Sequence, residues 1–227
     1  MSTKVDLFTN VEDLDVSPTI ANAMLQEAAG YNVILCDAPW NTKAGRPLNG
    51  YKMKNGKQTF QATNNKARDL AYPTMSVKEI KALDVKSISA DDAHLFFWAT
   101  NQYLPQAFEI IKEWGFRYST TLVWAKKLMG GGLGGTFRIT TEYLIFATKG
   151  SLKATDTIAG TWFEVKRKYV NGYPCHSKKP DFFYELIEKV SPGKRLEMFA
   201  REKRKGWDVF GNEVENSIDI PFRSSFL

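Results

Sequence analysis

The chain has 227 residues, of which 43% are hydrophobic and 25% charged, a composition typical of a folded globular domain and not of a disordered protein. No apolar stretch approaches the roughly 20 residues that span a bilayer, and the first residues lack a secretory signal, so we expect a cytoplasmic protein with no membrane partner. Two cysteines and two histidines are too few for a disulfide scaffold or a zinc spacing. The formal charge of +6 favours a polyanionic partner such as nucleic acid.

The first predicted elements are a helix and a buried strand. Ser17-Pro18 is typical of a helix start, and Gly30 is typical of a helix end. The apolar run YNVILC at 31–36 predicts a buried strand, which stops at Asp37-Ala38-Pro39-Trp40. A carboxylate, a proline and a large aromatic side chain therefore lie together at a strand end.

A basic segment follows this strand end. Between Asn41 and Arg68 the sequence holds seven basic residues and no acidic one. Such a segment cannot bury enough apolar surface to form its own core, and long loops of this kind are usually functional or disordered. We predict a substrate loop at about 41–71. The alternative is a solvated loop with no role.

The rest of the chain alternates between helical and strand patterns. In chain order these are a capping-box helix from Ser76 to Leu83, a strand at 93–100, a helix at 103–115, a strand at 120–126, a glycine-rich loop at 127–138, a strand at 141–150, a helix at 181–190 and a strand at 195–200. Continuous apolar strands that alternate with helices predict an α/β sandwich with both faces of the sheet covered. In such folds ligands bind at the carboxyl ends of the strands, where Asp37 is expected to lie.

The chemistry of Asp37-Ala38-Pro39-Trp40 suits a planar amine. An exocyclic amine on adenine is a poor nucleophile, because its lone pair is delocalised into the ring. The Asp37 carboxylate and the Ala38 carbonyl, aimed at the two N–H bonds, would favour the pyramidal nitrogen of the transition state. Pro39 would stiffen the turn, and Trp40 would offer a face on which the base stacks. The alternative is that Asp37 begins an ordinary turn and Trp40 belongs to the core.

This tetrapeptide resembles the (Asp/Asn/Ser)-Pro-Pro-(Tyr/Phe/Trp) signature of methyltransferases that use S-adenosylmethionine to methylate exocyclic amines. The Trp at its end makes the tetrapeptide most similar to one family of these enzymes, named after the seventy-kilodalton subunit of the mRNA adenosine methyltransferase. This family also has bacterial and phage members that act on DNA. Other similar segments are AYPTMSVKEIKAL, the core from DDAHLFFWAT to TTLVWAKK, TEYLIFATKG, and the stretch from HSKKPDFFYELIEKV to GWDVFGNE. The resemblance covers about Tyr31 to Glu215. It implies one Rossmann-like methyltransferase domain over residues 1–227, with the catalytic motif before the cofactor motif, as in the permuted class.

The resemblance also implies S-adenosylmethionine as the cofactor. The residues that would hold it are Lys179, Glu197, Phe199, Arg201, Asn212 and Glu213. Cationic side chains suit its carboxylate, and amide or carboxylate side chains suit its ribose hydroxyls. Without the resemblance, the favoured interpretations are that Lys178-Lys179 is a solvated pair before a helix and that Arg201 to Lys205 is a surface charge run. Three features depart from the family pattern: Ala38 replaces the first proline, Glu213 replaces a frequent glutamine, and the loop after Arg201 is shorter than in the mRNA enzymes.

The reaction implied is methyl transfer to the N6 amine of adenine in nucleic acid. We expect DNA, because the chain carries no appended RNA-binding module. The residues expected to contact the nucleic acid are Asn41, Lys43, Arg46, Tyr72, Lys126 and Arg138. Two alternatives remain, namely the same reaction on RNA and a catalytically silent nucleic-acid-binding subunit that helps an active partner. The expected assembly is a homodimer or a pairing with a related subunit, and no metal is expected.

Overall fold

The structure is a computed structural model that describes residues 30–41, 50–54, 57–61, 73–126, 136–166, 169–170, 173–174 and 178–223. The helix predicted before Gly30 and most of the predicted glycine-rich loop lie outside these residues. Every element described below belongs to the unit formed by Tyr31–Leu227.

The described part of the chain contains eleven strands, four α-helices and one 3₁₀ turn. The strands are β1 (Tyr31–Cys36), β2 (Gly50–Lys54), β3 (Lys57–Gln61), β4 (Ser89–Ala99), β5 (Arg117–Ala125), β6 (Thr141–Lys149), β7 (Trp162–Glu164), β8 (Tyr169–Val170), β9 (Tyr173–Pro174), β10 (Arg195–Met198) and β11 (Asp208–Phe210). The α-helices are α1 (Val77–Ala82), α2 (Val85–Ile88), α3 (Leu104–Glu113) and α4 (Asp181–Val190), and a 3₁₀ turn occupies Asn101–Tyr103. None of these helices is both long and apolar enough to cross a bilayer.

Seven strands form one sheet in the order β11-β10-β1-β4-β6-β5-β7. Strand β6 is antiparallel to both of its neighbours, and all other pairs are parallel. The carboxyl ends of six strands and the amino end of β6 therefore meet at one edge. Strand order reverses at β1, and such a reversal is where open α/β sheets bind ligands. The remaining strands form the separate pairs β2-β3 and β8-β9.

Side chains alternate across the sheet and build two cores. Ile34 and Phe97 pack on the face covered by α1 and α3, whereas Leu35 and Trp98 pack on the face covered by α4. All four side chains are at most 2% exposed. Burial of each such side chain contributes about 1.5–3 kcal/mol, so both helical layers are held by the strands between them. The predicted α/β sandwich is confirmed.

The predicted elements agree with the structure where apolar patterns are long. Strand β1 and helix α4 have the predicted bounds, and the Ser76–Glu79 capping box opens α1 as expected. Strands β7 and β11 were not predicted, because three residues carry too little periodicity to identify a strand. The predicted 41–71 loop contains the paired strands β2 and β3, a difference from the expected irregular segment.

Candidate active site

Asp37 begins the candidate site because it is the first residue beyond β1, at the edge where strand ends meet. The turn after it is fixed by two backbone hydrogen bonds. The Trp40 N–H donates to the Ala38 carbonyl over 2.8 Å, and the Met75 N–H donates to the Pro39 carbonyl over 2.9 Å. A carbonyl has two lone pairs, so the Ala38 oxygen can still accept one more donor.

Lys179 lies against Asp37, although 142 residues separate them in the chain. Its Nζ donates to Asp37 Oδ2 over 2.5 Å and lies 3.5 Å from Glu142 Oε2. The ammonium also lies 5.2 Å from the centre of the Trp98 ring, within range of a cation–π contact. The Lys179 side chain is only 10% exposed, so this lysine is not the solvated residue that the sequence left as an alternative.

Glu142 links the Asp37–Lys179 pair to a second cation, Lys126. Glu142 is the second residue of β6, and the antiparallel direction of this strand brings its start to the same edge as Asp37. Glu142 Oε1 forms an ion pair with Lys126, whose ammonium lies 4.8 Å from the centre of the Trp124 ring. Lys126 was predicted as a substrate contact, but Glu142 was missed. The only sequence signal for Glu142 is an acid at the start of an apolar strand.

Burial controls the charges in this cluster. Loss of hydration raises the pKa of Asp37 above its ordinary value, and the Lys179 ammonium partly offsets this effect. Burial alone would lower the pKa of Lys179, but the carboxylates of Asp37 and Glu142 raise it overall. Lys179 is therefore held in its charged form, which suits it to binding an anion.

Glu197 lies beside this cluster on the neighbouring strand β10, where it pairs in register with Leu35 of β1. It is 8% exposed and accepts a hydrogen bond from the Tyr184 hydroxyl over 2.6 Å. Burial raises the pKa of Glu197, and the nearby Asp37 charge adds to that increase. Tyr184, which the sequence did not single out, lies on α4 and holds one carboxylate oxygen of Glu197 in place.

The chain after β10 is closely packed against the end of β11. Phe199 has φ +63°, a conformation that costs free energy for a residue with a side chain and is concentrated at functional sites. Gly211 lies so close to Ala200 that an added Cβ would be 2.2 Å from the Ala200 carbonyl oxygen. This approach brings the two predicted cofactor segments, 197–201 and 211–213, together.

Three of the predicted cofactor residues lie at the surface of these segments. Arg201 Nε donates to Glu213 Oε1 over 2.9 Å, and both side chains are about half exposed. The Arg201 charge also acts to lower the pKa of Asp37, which indicates that it lies near the site. Asn212 is exposed in the same turn as Glu213.

Trp40 is buried in the core. Its ring is 5% exposed, stacks on Tyr103 with centroids 4.7 Å apart and meets Phe97 edge-on at 5.8 Å. This packing corresponds to the alternative left open by the sequence, in which Trp40 belongs to the core. Little of its ring is accessible, so stacking of a base on Trp40 stays a prediction that the packing does not favour.

The predicted substrate contacts are only partly described. Asn41 is exposed, and its backbone carbonyl accepts from the Tyr103 hydroxyl over 2.5 Å. Arg138 is exposed in the segment before β6. Lys43, Arg46 and Tyr72 lie outside the described residues. Within the part of the chain that the structure describes, no group of three or more His, Cys, Asp or Glu side chains could hold a metal ion.

The comparisons with known proteins concern the family of the chain. Residues 31–213 match the MT-A70 family. The chain is 32% identical over 202 residues to the Type II methyltransferase M.MunI of a Mycoplasma species, a match that covers 84% of this chain and 81% of that protein. It is 26% identical over 156 residues to the N(6)-adenosine-methyltransferase catalytic subunit METTL3 of Homo sapiens, which covers 65% of this chain and 26% of METTL3.

A third relative is the N(6)-adenosine-methyltransferase MT-A70-like protein of Drosophila melanogaster, with 30% identity over 156 residues, 65% of this chain and 25% of that protein. The chain thus spans most of the Mycoplasma relative but only about a quarter of the two animal proteins. Since the family match runs from the first residue of β1 to the Glu213 turn and contains both Asp37 and Lys179, the chain belongs to the MT-A70 family of methyltransferases.

Proposed function

We propose that this protein transfers a methyl group from S-adenosylmethionine to the N6 amine of adenine in DNA. The observation that carries the proposal is the Asp37–Lys179 pair at the end of β1, since it combines a carboxylate acceptor with a buried ammonium. The family membership supplies the reaction class.

The residues at this edge fit the cofactor. The Lys179 ammonium suits the carboxylate of S-adenosylmethionine, and the Glu197 carboxylate suits its ribose hydroxyls. The Asp37 carboxylate suits its positive charge. Phe199, Arg201, Asn212 and Glu213 complete the proposed site on the two segments that Gly211 brings together. When bound, S-adenosylmethionine would supply the methyl group from its sulfonium centre.

The residues of the turn activate the amine. Asp37 and the Ala38 carbonyl each accept one N–H of the target, which favours the pyramidal, nucleophilic nitrogen. Ala38 serves this purpose as well as proline would, because only its carbonyl is used and the turn is already fixed by backbone hydrogen bonds. The nitrogen loses its extra proton after it has bonded to the methyl carbon, so the chemical step requires no separate general base.

The choice of DNA rests on the extent of the similarity. The chain corresponds to most of a protein named as a type II methyltransferase, but to only a quarter of relatives named as N6-adenosine methyltransferases. The same reaction on RNA is the second candidate, because two relatives named as N(6)-adenosine-methyltransferases each match 65% of this chain. A silent subunit would have no need of the Asp37–Lys179–Glu142 cluster, which this chain retains. A cytoplasmic location and pairing with a second subunit stay predictions.

A direct assay tests the proposal. The full chain is incubated with isotopically labelled cofactor and, in parallel, duplex DNA, single-stranded DNA or RNA, and the nucleosides are analysed by mass spectrometry. We expect labelled N6-methyladenine from DNA and its loss with Asp37→Ala, about a hundredfold or more. Asp91→Ala, at an exposed position in the amino half of β4, is the matched control and keeps full activity. Label in RNA alone would reverse the choice of substrate, and no label in any nucleic acid would refute the proposal.

A further inference from the structure

An open pocket lies beside the Asp37–Lys179 pair, between the end of β7 and the start of α4. Its volume is about 330 Å³, at the lower end of the range for small-ligand sites. The lining residues are Val165, Lys166, Lys179, Pro180, Asp181 and Phe182. Lys179 belongs to this pocket, here named the Phe182 pocket, and also contacts Asp37, so the pocket adjoins the candidate active site.

Phe182 presents a rigid aromatic face to this pocket. Its side chain is 38% exposed, while its ring packs against Phe163 at 5.3 Å and Phe183 at 5.2 Å between centroids. Phe183 is only 1% exposed and anchors α4 in the core. The exposed ring is therefore held in place before any ligand arrives, so stacking against it costs little side-chain entropy.

Positive charge accompanies this aromatic face. Lys166 and Lys179 line the pocket. The one acid in the lining, Asp181, forms an ion pair with Arg204. An aromatic face with neighbouring cations fits a nucleotide, whose base stacks and whose phosphate is anionic, better than it fits a purely apolar partner.

We propose that the Phe182 pocket binds the nucleobase that neighbours the target adenine in the same strand, with that base stacked on Phe182 and Lys166 attracting the adjoining phosphate. The inference rests on the proposed function and deepens it. A base inside a duplex has both faces covered by its neighbours, so a base in this pocket must be unstacked. The substrate is therefore single-stranded, or locally opened, on one side of the target adenine.

The test measures steady-state kinetics of the full chain on a single-stranded oligonucleotide that the wild type methylates. Two further oligonucleotides carry an abasic residue immediately before or after the target adenine. For the wild type, we expect one of these two to raise KM about tenfold, the size of a lost base–aromatic stack. Phe182→Leu raises KM on the intact oligonucleotide by a similar factor, leaves kcat within about twofold, and makes KM insensitive to the abasic residue. Phe182→Tyr restores the wild-type values.

A matched control separates this effect from general damage to the surface. Phe108→Leu removes a phenylalanine of similar exposure, 36%, from α3, and it keeps the wild-type KM on all three oligonucleotides. Thermal unfolding confirms that each variant is folded. If Phe182→Leu leaves KM unchanged, or raises it equally on intact and abasic oligonucleotides, the inference is overturned while the proposed function stands. If the wild type methylates no nucleic acid, both fall together.

Discussion

The Lys179 ammonium lies 2.5 Å from the Asp37 carboxylate, a contact that joins the residue after β1 to the residue two positions before α4. The contact places the proposed amine acceptor and the proposed cofactor ligand in one partly buried ion pair. The charge on each residue therefore depends on the other, which makes the pair testable by pH.

Lys179→Met is expected to shift the acid limb of the activity profile to higher pH. Burial raises the pKa of Asp37 and Lys179 opposes that rise, so removal of the ammonium lets the pKa of Asp37 climb further. Asp37 must be ionised to accept an N–H bond, so the variant recovers activity only as pH increases. Methyl-transfer rates between about pH 5 and pH 9 measure this shift. Lys178→Met is the neighbouring control, and an unshifted limb in Lys179→Met would contradict the predicted coupling.

Glu142→Gln is expected to weaken S-adenosylmethionine binding at a lower pH than in the wild type. Asp37 and Glu142 together raise the pKa of Lys179, so loss of one carboxylate charge lets the ammonium lose its proton at a lower pH. The dissociation constant for S-adenosylmethionine, measured by calorimetry from about pH 7 to pH 10, should weaken earlier in the variant than in the wild type. Glu109→Gln, whose partner Lys81 lies away from the cluster, should bind as the wild type does. Identical pH dependence in all three proteins would show that Glu142 does not tune Lys179.

Trp40→Ala is expected to destabilise the fold strongly, because the ring is buried between Tyr103 and Phe97. Truncation of a buried aromatic side chain costs about 3–5 kcal/mol of unfolding free energy. Trp40→Phe retains most of the packing and should keep most of the stability and activity. Urea unfolding and methyl-transfer rates are measured on both variants. A Trp40→Ala protein with wild-type stability but greatly reduced activity would instead support the stacking role.

Gly211→Ala is expected to separate the two cofactor segments. The new methyl would meet the Ala200 carbonyl oxygen at 2.2 Å, and overpacking of this kind costs about 1–3 kcal/mol. We expect a lower melting temperature and weaker S-adenosylmethionine binding, measured by thermal unfolding with and without the cofactor. Gly160→Ala is the control, since no atom lies within 4 Å of its added Cβ. Equal melting temperatures for the two variants would refute the close approach.

His94 is expected to make the fold less stable in mild acid. Its Nδ1 lies 2.8 Å from the Ser191 hydroxyl oxygen, and its Nε2 lies 3.0 Å from the Leu152 carbonyl oxygen, which can only accept a hydrogen bond from the ring. Burial lowers its pKa below 6.5, and the unfolded chain therefore takes up a proton at a higher pH than the folded one. This contribution to stability is complete above the unfolded pKa and decreases as pH falls through it.

The matching variant is His94→Gln, whose amide can make both hydrogen bonds but does not titrate. Its deficit in unfolding free energy relative to the wild type should be largest near pH 8 and should narrow towards about pH 5. Urea titrations at several pH values give this difference. A deficit that is constant with pH would show that His94 does not titrate as expected.

The sequence by itself determined the fold class and the main strands and helices, and it predicted the segments that carry the proposed site. The run at 31–36 and the helix at 181–190 were recognisable because local apolar periodicity is long in both. Asp37 was identified because a short motif surrounds it, and Lys179 was identified because its segment resembles a known family. These features depend on neighbours in the chain, which a sequence displays directly.

Only the tertiary structure decided which of these residues meet. The Asp37–Lys179 contact, the arrival of Glu142 through antiparallel β6, and the burial of Trp40 all depend on strand order and direction. Such contacts join residues that are distant along the chain, and no local pattern encodes them. The role of Phe182 also depends on the tertiary structure. In the sequence it is an ordinary aromatic residue of a helix, and it lines the pocket because α4 begins beside β7.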